Sequence, residues 1–311
     1  MVSAVEVRLP APGDVEAFAA YVAAGGLVDA GDWMPEEYRA EAVRIVSFQA
    51  LAEVIGTLLF AEWLPRIASV HRKRILTAKV QDETGHGHIL MRVAEDLGLT
   101  REQIMEEYLA GRRKLLNAFH YGFDAYCELP IGALLQNSAA IVQFRSLVKG
   151  SYLPYVRALR KIMREESFHF YNALDWTHEL MTAGTPRQKA EVEAGLVKWW
   201  PIIVAYFGPP DAASVHTQPA MRWRLKVNTN DEVRQAWFSF IVPVLQGLGL
   251  TPPDPKLRHD PELGRWEYTE PDWAEVRAVI NGAGPRSAYW KELIRRAYER
   301  DGWVRHVRAA A

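Results

Sequence analysis

The chain has 311 residues, with 37 Lys and Arg against 38 Asp and Glu, 49% apolar residues and a single cysteine. That apolar content with balanced charge excludes intrinsic disorder, and a net charge of -1 excludes a general field for nucleic acid or an anionic membrane. Cys127 alone closes no intramolecular disulfide and builds no multi-cysteine metal site, so a reducing, cytoplasmic setting is expected and any metal falls to His and carboxylates.

In chain order, the opening MVSAVEVRLPAPGD lacks a basic start before an apolar core, and no uncharged apolar run reaches the ~18 residues of a bilayer span. Residues 1–31 are weakly patterned and read as an extended N-terminal arm. From Pro35 the character changes. Proline and two acids stand where a helix's first turn wants them, and apolar positions recur at 3–4 spacing to about Leu64, before Pro65. A second long pattern runs from Ser69 to Leu97 and stops at Gly98. Thr100-Arg-Glu-Gln103 then opens a shorter helix as a capping box. Pro130 begins the next long segment, to Lys149-Gly150, and Pro154 another, to about Thr182. Thr185-Pro186 caps a sixth helix, which Pro201 should kink or end. Four long helices in two pairs predict an all-α bundle over residues 32–207 with room for a buried site. Beyond Phe207 the composition shifts. The run GPPDAASVHTQPA reads as a linker, followed by a helix near Glu232–Leu248, a proline-rich loop, a short strand or hairpin at Arg265–Tyr268, and two short helices. Residues 208–311 therefore read as an extension wrapped on the bundle.

Two of the nine histidines follow a glutamate by three positions, in Glu83-Thr-Gly-His86 and Glu166-Ser-Phe-His169. On a helix that spacing puts carboxylate and imidazole on one face. Glu53 sits 30 residues before Glu83, mid-way along the preceding long helix. One such motif is weak, but two mid-helix copies plus an upstream glutamate match the bundle site in which two helices supply Glu-x-x-His and others a Glu each. Oxygen donors with one imidazole per ion suit Fe(II) or Mn(II) with room for dioxygen. Asp175-x-x-His178 has similar spacing. It follows Glu166 by nine residues, which at about 100° per residue turns it to the opposite, solvent face.

The run Ala78-Lys-Val-Gln-Asp-Glu83-Thr-Gly-His86-Gly, with Glu165-Glu-Ser-Phe-His169, Trp199-Trp-Pro201, Phe207-Gly-Pro209 and Thr229-Asn-Asp-Glu232, resembles the catalytic A subunits of bacterial phenylacetyl-CoA 1,2-epoxidases from about Asp32 to the C-terminal helix. The resemblance implies a ferritin-like four-helix bundle with additional helices. It implies a di-iron monooxygenase that epoxidises the aromatic ring of phenylacetyl-CoA, or a similar acyl-CoA, with dioxygen and two electrons. It implies an oligomeric complex with a homologous structural subunit, a small bridging subunit, and a reductase carrying FAD and an iron–sulfur cluster and drawing on NADPH. Carried over by position, Glu53, Glu83 and His86 hold one iron, and Glu166 and His169 the other.

The sixth ligand departs from the family. Its aspartate is replaced by Asn137, 29 residues before Glu166. An amide oxygen coordinates without charge, so three carboxylates leave two Fe(II) with one uncompensated positive charge in a low-dielectric core. The expectation is a weakened second site. Lys79, one turn before Glu83, matches a lysine that the family places beside the metals, where an ammonium would hold a hydrogen bond to an acid or tune the resting state. Asp82 is a candidate acceptor for a histidine N–H. Gly85 and Gly87 each cost roughly 1 kcal/mol inside a helix, offset either by close packing or by room for substrate.

A coenzyme A ester needs a phosphate site. Arg44, the cluster Arg112-Arg113-Lys114, and Arg224, Lys226 and Asn230 are candidates by charge and donor geometry, and the resemblance favours Arg44, Lys114 and Asn230. The aromatics Trp199, Trp200, Tyr206 and Phe207 read as core or subunit interface rather than substrate contacts. Two rival readings stay open: a non-catalytic structural subunit or paralogue of the same complex, and a ferritin-like metal-binding or oxygen-scavenging protein.

Overall fold

The structure, a computed structural model, describes residues 9–300; residues 1–8 of the expected arm and 301–311 of the expected extension lie outside the described residues. Four long helices form the frame: α2 (Glu36–Ala61), α3 (Val70–Asp96), α5 (Glu128–Leu147) and α6 (Leu153–Ala183). Helix α2 packs along α3, and α5 along α6, and the two pairs meet mainly where α3 faces α6. The starts follow the local chemistry. Acids Glu36 and Glu37 lie in the first turn of α2, and the Ser69 side chain accepts from Arg72 N to begin α3. The capping box at Thr100 and Gln103 opens α4 (Arg101–Leu109), and a second at Thr185 and Gln188 opens α7 (Pro186–Val204), which packs on α5 and α6.

Two apolar clusters fill the bundle, one at each end. Leu51 and Ile55 of α2, Leu90 of α3, and Tyr155 and Ile162 of α6 belong to one. Leu59 and Phe60, Leu76, Leu134 and Phe170 belong to the other. Lys79, Glu83, His86, Glu166 and His169 occupy the layer between the clusters and are buried there. By length and composition the stretch Glu36–Arg66 would cross a membrane, but 56% of its most apolar window is buried inside the bundle.

Several elements depart from the sequence expectation. Residues 15–23 are helical rather than extended: α1 (Val15–Ala23) is capped by Asp14, whose Oδ1 accepts from Ala17 N at 2.9 Å, and it buries Phe18 and Val22. Its nine residues are too few to show a periodicity in the sequence. Pro201 does not end α7, which runs on to Val204. The linker after Phe207 contains α8 (Thr217–Arg222), and a capping box at Thr229 and Glu232 starts α9 (Asn230–Gly247), which packs on α5. The hairpin is present as β1 (Arg258–Asp260) paired antiparallel with β2 (Arg265–Glu267). Helix α10 (Trp273–Ala278), a π turn with Gly282 at φ 108°, and α11 (Ser287–Arg300) follow.

The two helix glycines separate on geometry. A Cβ on Gly87 would clash with Val54 Cγ2 and come within 3.3 Å of Val54 N, so Gly87 lets α2 and α3 approach. A Cβ on Gly85 would meet nothing within 4 Å. Gly87→Ala is therefore expected to destabilise the fold by about 1–3 kcal/mol through overpacking. Gly85→Ala is expected to stabilise it by up to about 1 kcal/mol. Denaturant titration of the two variants side by side checks the opposite signs.

Candidate metal centre

Helix periodicity brings the expected residues to one place. Glu53, Glu83, His86 and Glu166 offer ligand atoms that lie within 4.8 Å of one another. Nδ1 of His86 stands 3.7 Å from Glu53 Oε2, 3.5 Å from Glu83 Oε2 and 3.6 Å from Glu166 Oε1. Nδ1 of His169 stands 3.5 Å from Glu83 Oε1 and 3.5 Å from Glu166 Oε1. Glu83 and Glu166 thus lie between the two imidazoles, whose ring centroids are 6.0 Å apart, and Glu53 reaches the His86 side alone.

The donor set fits a pair of cations. Both Nδ1 atoms are buried without a hydrogen-bond partner, a costly state for a polar atom unless something else satisfies it. Their spacing from the carboxylate oxygens is near that of two ligands sharing an ion with bonds of about 2.1 Å. Each ring's other nitrogen is held by an acid: His86 Nε2 pairs with Glu165 Oε2 at 2.8 Å, and His169 Nε2 with Asp82 Oδ2 at 3.1 Å. The holding is crossed, because the acid preceding each motif's glutamate orients the histidine of the other motif. Asp82 is legible in the sequence as such a partner. Glu165 escapes that reading, although the repeated acid-Glu-x-x-His pattern carries the signal. Gln49, one turn before Glu53, escapes it too: its Nε2 donates to Glu53 Oε1 at 3.1 Å, and the Tyr155 hydroxyl donates to its Oε1.

Electrostatics mark the layer as short of positive charge. Burial pushes Glu53 up to about 8, opposed by His86 and reinforced by Glu83 and Glu166. Burial works against the charged forms of Glu83, His86 and Lys79, yet their partners prevail. Glu83 is held well below the usual carboxylate range by Lys79 and His86, His86 is pushed up to about 11 by Glu53 and Glu83, and Lys79 is raised by Glu83 and Glu166.

Asn137 lies in the same layer but is engaged elsewhere. Its Oδ1 accepts from Lys79 Nζ at 3.1 Å, and its Nδ2 is buried without a partner. Lys79 also donates to Glu83 Oε1 and lies 4.6 Å above the Phe60 ring. Among the described residues, the His169 Nδ1 therefore faces the two shared carboxylates and no acid of its own.

A cavity of about 990 Å³ runs from this layer to the surface, and Lys79, Glu53, Glu83, Asn137 and Glu166 line its inner end. Arg44, Arg112, Arg113, Lys114, Lys226 and Asn230 line it as well, so every phosphate candidate from the sequence except Arg224 shares one space with the carboxylates. Arg44 is held by Glu41, and Lys226 Nζ donates to Asn230 Oδ1 at 2.8 Å. The Arg224 guanidinium is spent on the carbonyls of Val22, Gly26 and Lys149 at 2.5–2.7 Å, tying the N-terminal segment down. Trp199, Trp200 and Phe207 are core residues as expected, but Phe207 also lines the cavity beside the partly buried Tyr206. Burial, then the charges of Glu53, Glu166 and Glu83, raises the Tyr206 phenol well above its ordinary value and keeps it neutral. Asp175 and His178 are exposed, Asp175 pairing with Arg72 at 2.8 Å. Trp273, Val276 and Ile280 close the cavity from the C-terminal side.

A helical bundle with paired Glu-x-x-His motifs around a buried carboxylate layer is the ferritin-like class of metalloprotein. A cyanobacterial structure, "Protein 19 with aldehyde deformylating oxidase activity from Synechococcus", shares this fold at a TM-score of 0.50, with 17% identity, over 70% of this chain and 93% of that one. The family model described as "Phenylacetic acid catabolic protein" matches residues 15–303, and the chain belongs to that family. It is 37% identical over 296 residues, 95% of each chain, to the A subunit of the 1,2-phenylacetyl-CoA epoxidase of Escherichia coli (strain K12).

The crossed acids give a direct test. Glu165→Gln and Asp82→Asn each leave an imidazole poorly oriented and are expected to lower iron or manganese affinity by roughly 10–100-fold. Competition titration against a chromophoric chelator reads this, with Asp175→Asn as the control that changes nothing.

Proposed function

We propose that this chain is the oxygenase subunit of a multicomponent monooxygenase that epoxidises the aromatic ring of phenylacetyl-CoA at a carboxylate-bridged di-iron centre. The observation that carries the reading is the single cavity with a redox-suited donor set at its inner end and phosphate-type donors along its walls. Arg44, Lys114, Lys226 and Asn230 would hold the coenzyme A phosphates, and the acyl arm would pass inward between Phe48, Phe119, Tyr206 and Phe207 toward Glu53 and Glu166. Binding energy from the remote phosphates positions the ring. Iron, held by Glu53, Glu83, His86, Glu166 and His169, would supply dioxygen activation. Lys79 keeps a proton on Nζ against Glu83, and Asp82 and Glu165 keep Nδ1 of each imidazole free to face an ion. Electrons would come from NADPH through a separate flavin and iron–sulfur reductase, with a small bridging subunit and a homologous structural subunit completing the complex. Metal storage has no use for a cavity lined by Arg44, Lys114, Lys226 and Asn230.

The second ion is held more weakly than the first in this reading, because the His169 side lacks a carboxylate of its own and the Asn137 amide oxygen is taken by Lys79. Asn137→Asp is expected to raise the tightly held metal from about one ion per chain toward two. Metal analysis after dialysis measures it, and two tightly held ions in the unmodified chain would remove the idea.

Lys226 links the phosphate end to pH. Burial pushes it down to about 8, helped by Arg44 and opposed by Asp211 and Glu232. A lysine lowered in the folded state costs stability in full below about 8, and the cost fades as pH rises toward 10.5. A bound phosphate favours the charged form, so thioester affinity should fall as pH climbs through about 8. With the other components of the complex and the reductase present, NADPH-linked oxygen uptake should require phenylacetyl-CoA; uptake without the thioester would favour oxygen scavenging, and none despite bound iron a structural role. Lys226→Met should raise the KM for the thioester by roughly 10-fold or more and flatten its pH dependence. The same change should stabilise the empty chain at pH 7 by about 1–3 kcal/mol.

A further inference from the structure

A second, much smaller cavity reaches the metal layer from another side. Its volume is about 30 Å³, and its walls are Ile75, Leu76, Leu129, Pro130, Ala133, Phe168, Ala173 and Trp176, with Asn172, Phe60, Lys79 and His169. It opens among α3, α5 and α6, whereas the large cavity reaches the same layer past α2, α5 and the C-terminal segments; the two share only Phe60 and Lys79. At its inner end stand His169, whose Nδ1 is 3.5 Å from Glu83 and from Glu166, and Lys79, which donates to Glu83. At its outer end stand Phe168, 46% exposed, and Asn172, whose amide is already spent on the Phe168 carbonyl at 2.7 Å. The remaining lining is hydrocarbon and aromatic carbon.

Size and polarity select the occupant. An apolar void that offers water no polar partners stays dry and takes up apolar molecules or xenon instead. A volume of about 30 Å³ excludes an acyl thioester and leaves room for one small molecule. An acyl thioester filling the large cavity blocks that route for anything that must follow it to the carboxylates. We infer that the small cavity is a binding and entry site for dioxygen, an apolar diatomic, at the His169 side of the metal layer. The inference rests on the oxygenase reading for the identity of the gas and on the cavity itself for the site.

Xenon-pressurised crystals of the full chain test the site without any turnover, with an anomalous peak expected between Ala133, Ala173 and Phe168. Ala133→Val and Ala173→Val narrow it from two different helices, so a folding failure in one leaves the other informative. In stopped-flow measurements on iron-loaded chain, both should slow oxidation of the ferrous centre by dioxygen on the order of tenfold, with metal content and thioester affinity unchanged. No xenon at this position, or a filled cavity with unaltered ferrous oxidation, overturns the inference. Ferrous oxidation that depends on this cavity without thioester-dependent oxygen uptake would instead defeat the epoxidase reading alone.

Discussion

Three glutamates brought together out of water set the terms for the rest of the molecule. Glu53, Glu83 and Glu166 crowd two imidazoles between two apolar clusters, where mutual repulsion is poorly screened and each unpaired charge is costly. Positive charge must be present, and the chain itself supplies Lys79 and a proton on His86. Those are the charges that a pair of metal ions would supplement or displace. The layer has the donor set that cations would complete, and apolar clusters flank it on either side.

The crossed acids extend this logic outward. Because Asp82 holds His169 and Glu165 holds His86, each Glu-x-x-His motif is rigid only when the other is in place. Each half relies on the other to hold its histidine, while Gln49 and Lys79 hold Glu53 and Glu83 within the α2–α3 pair. The close approach that Gly87 permits between α2 and α3 brings Glu53 to the same layer. Asn137 lines the same inner end of the cavity, and its amide oxygen answers Lys79.

Outside the layer, the same physics sorts the remaining basic residues. Buried Lys226, lowered by desolvation, lines the large cavity, while Arg224 caps backbone carbonyls and is structurally consumed. The two are separated by one residue and face different tasks, a distinction that charge counting alone does not make. The C-terminal segments matter for the same cavity, since Trp273, Val276 and Ile280 form its wall although they are far along the chain from the motifs.

Helix starts and same-face spacing are local consequences of residue type and the helical repeat, so the helical frame, the capping boxes at Thr100 and Thr185, and the convergence of Glu53, Glu83, His86, Glu166 and His169 on one buried layer are legible in the chain alone. Helices α1 and α8 are too short to display a period, and the passage of α7 through Pro201 depends on packing against α5 and α6 that outweighs a local preference. The supporting roles of Glu165 and Gln49, the exposure of Tyr206 to the cavity, the pairing of Asn137 with Lys79, and the second, apolar cavity at His169 emerge only on folding. Each depends on which faces of different helices meet, and the distances that fix it lie between residues remote in the chain.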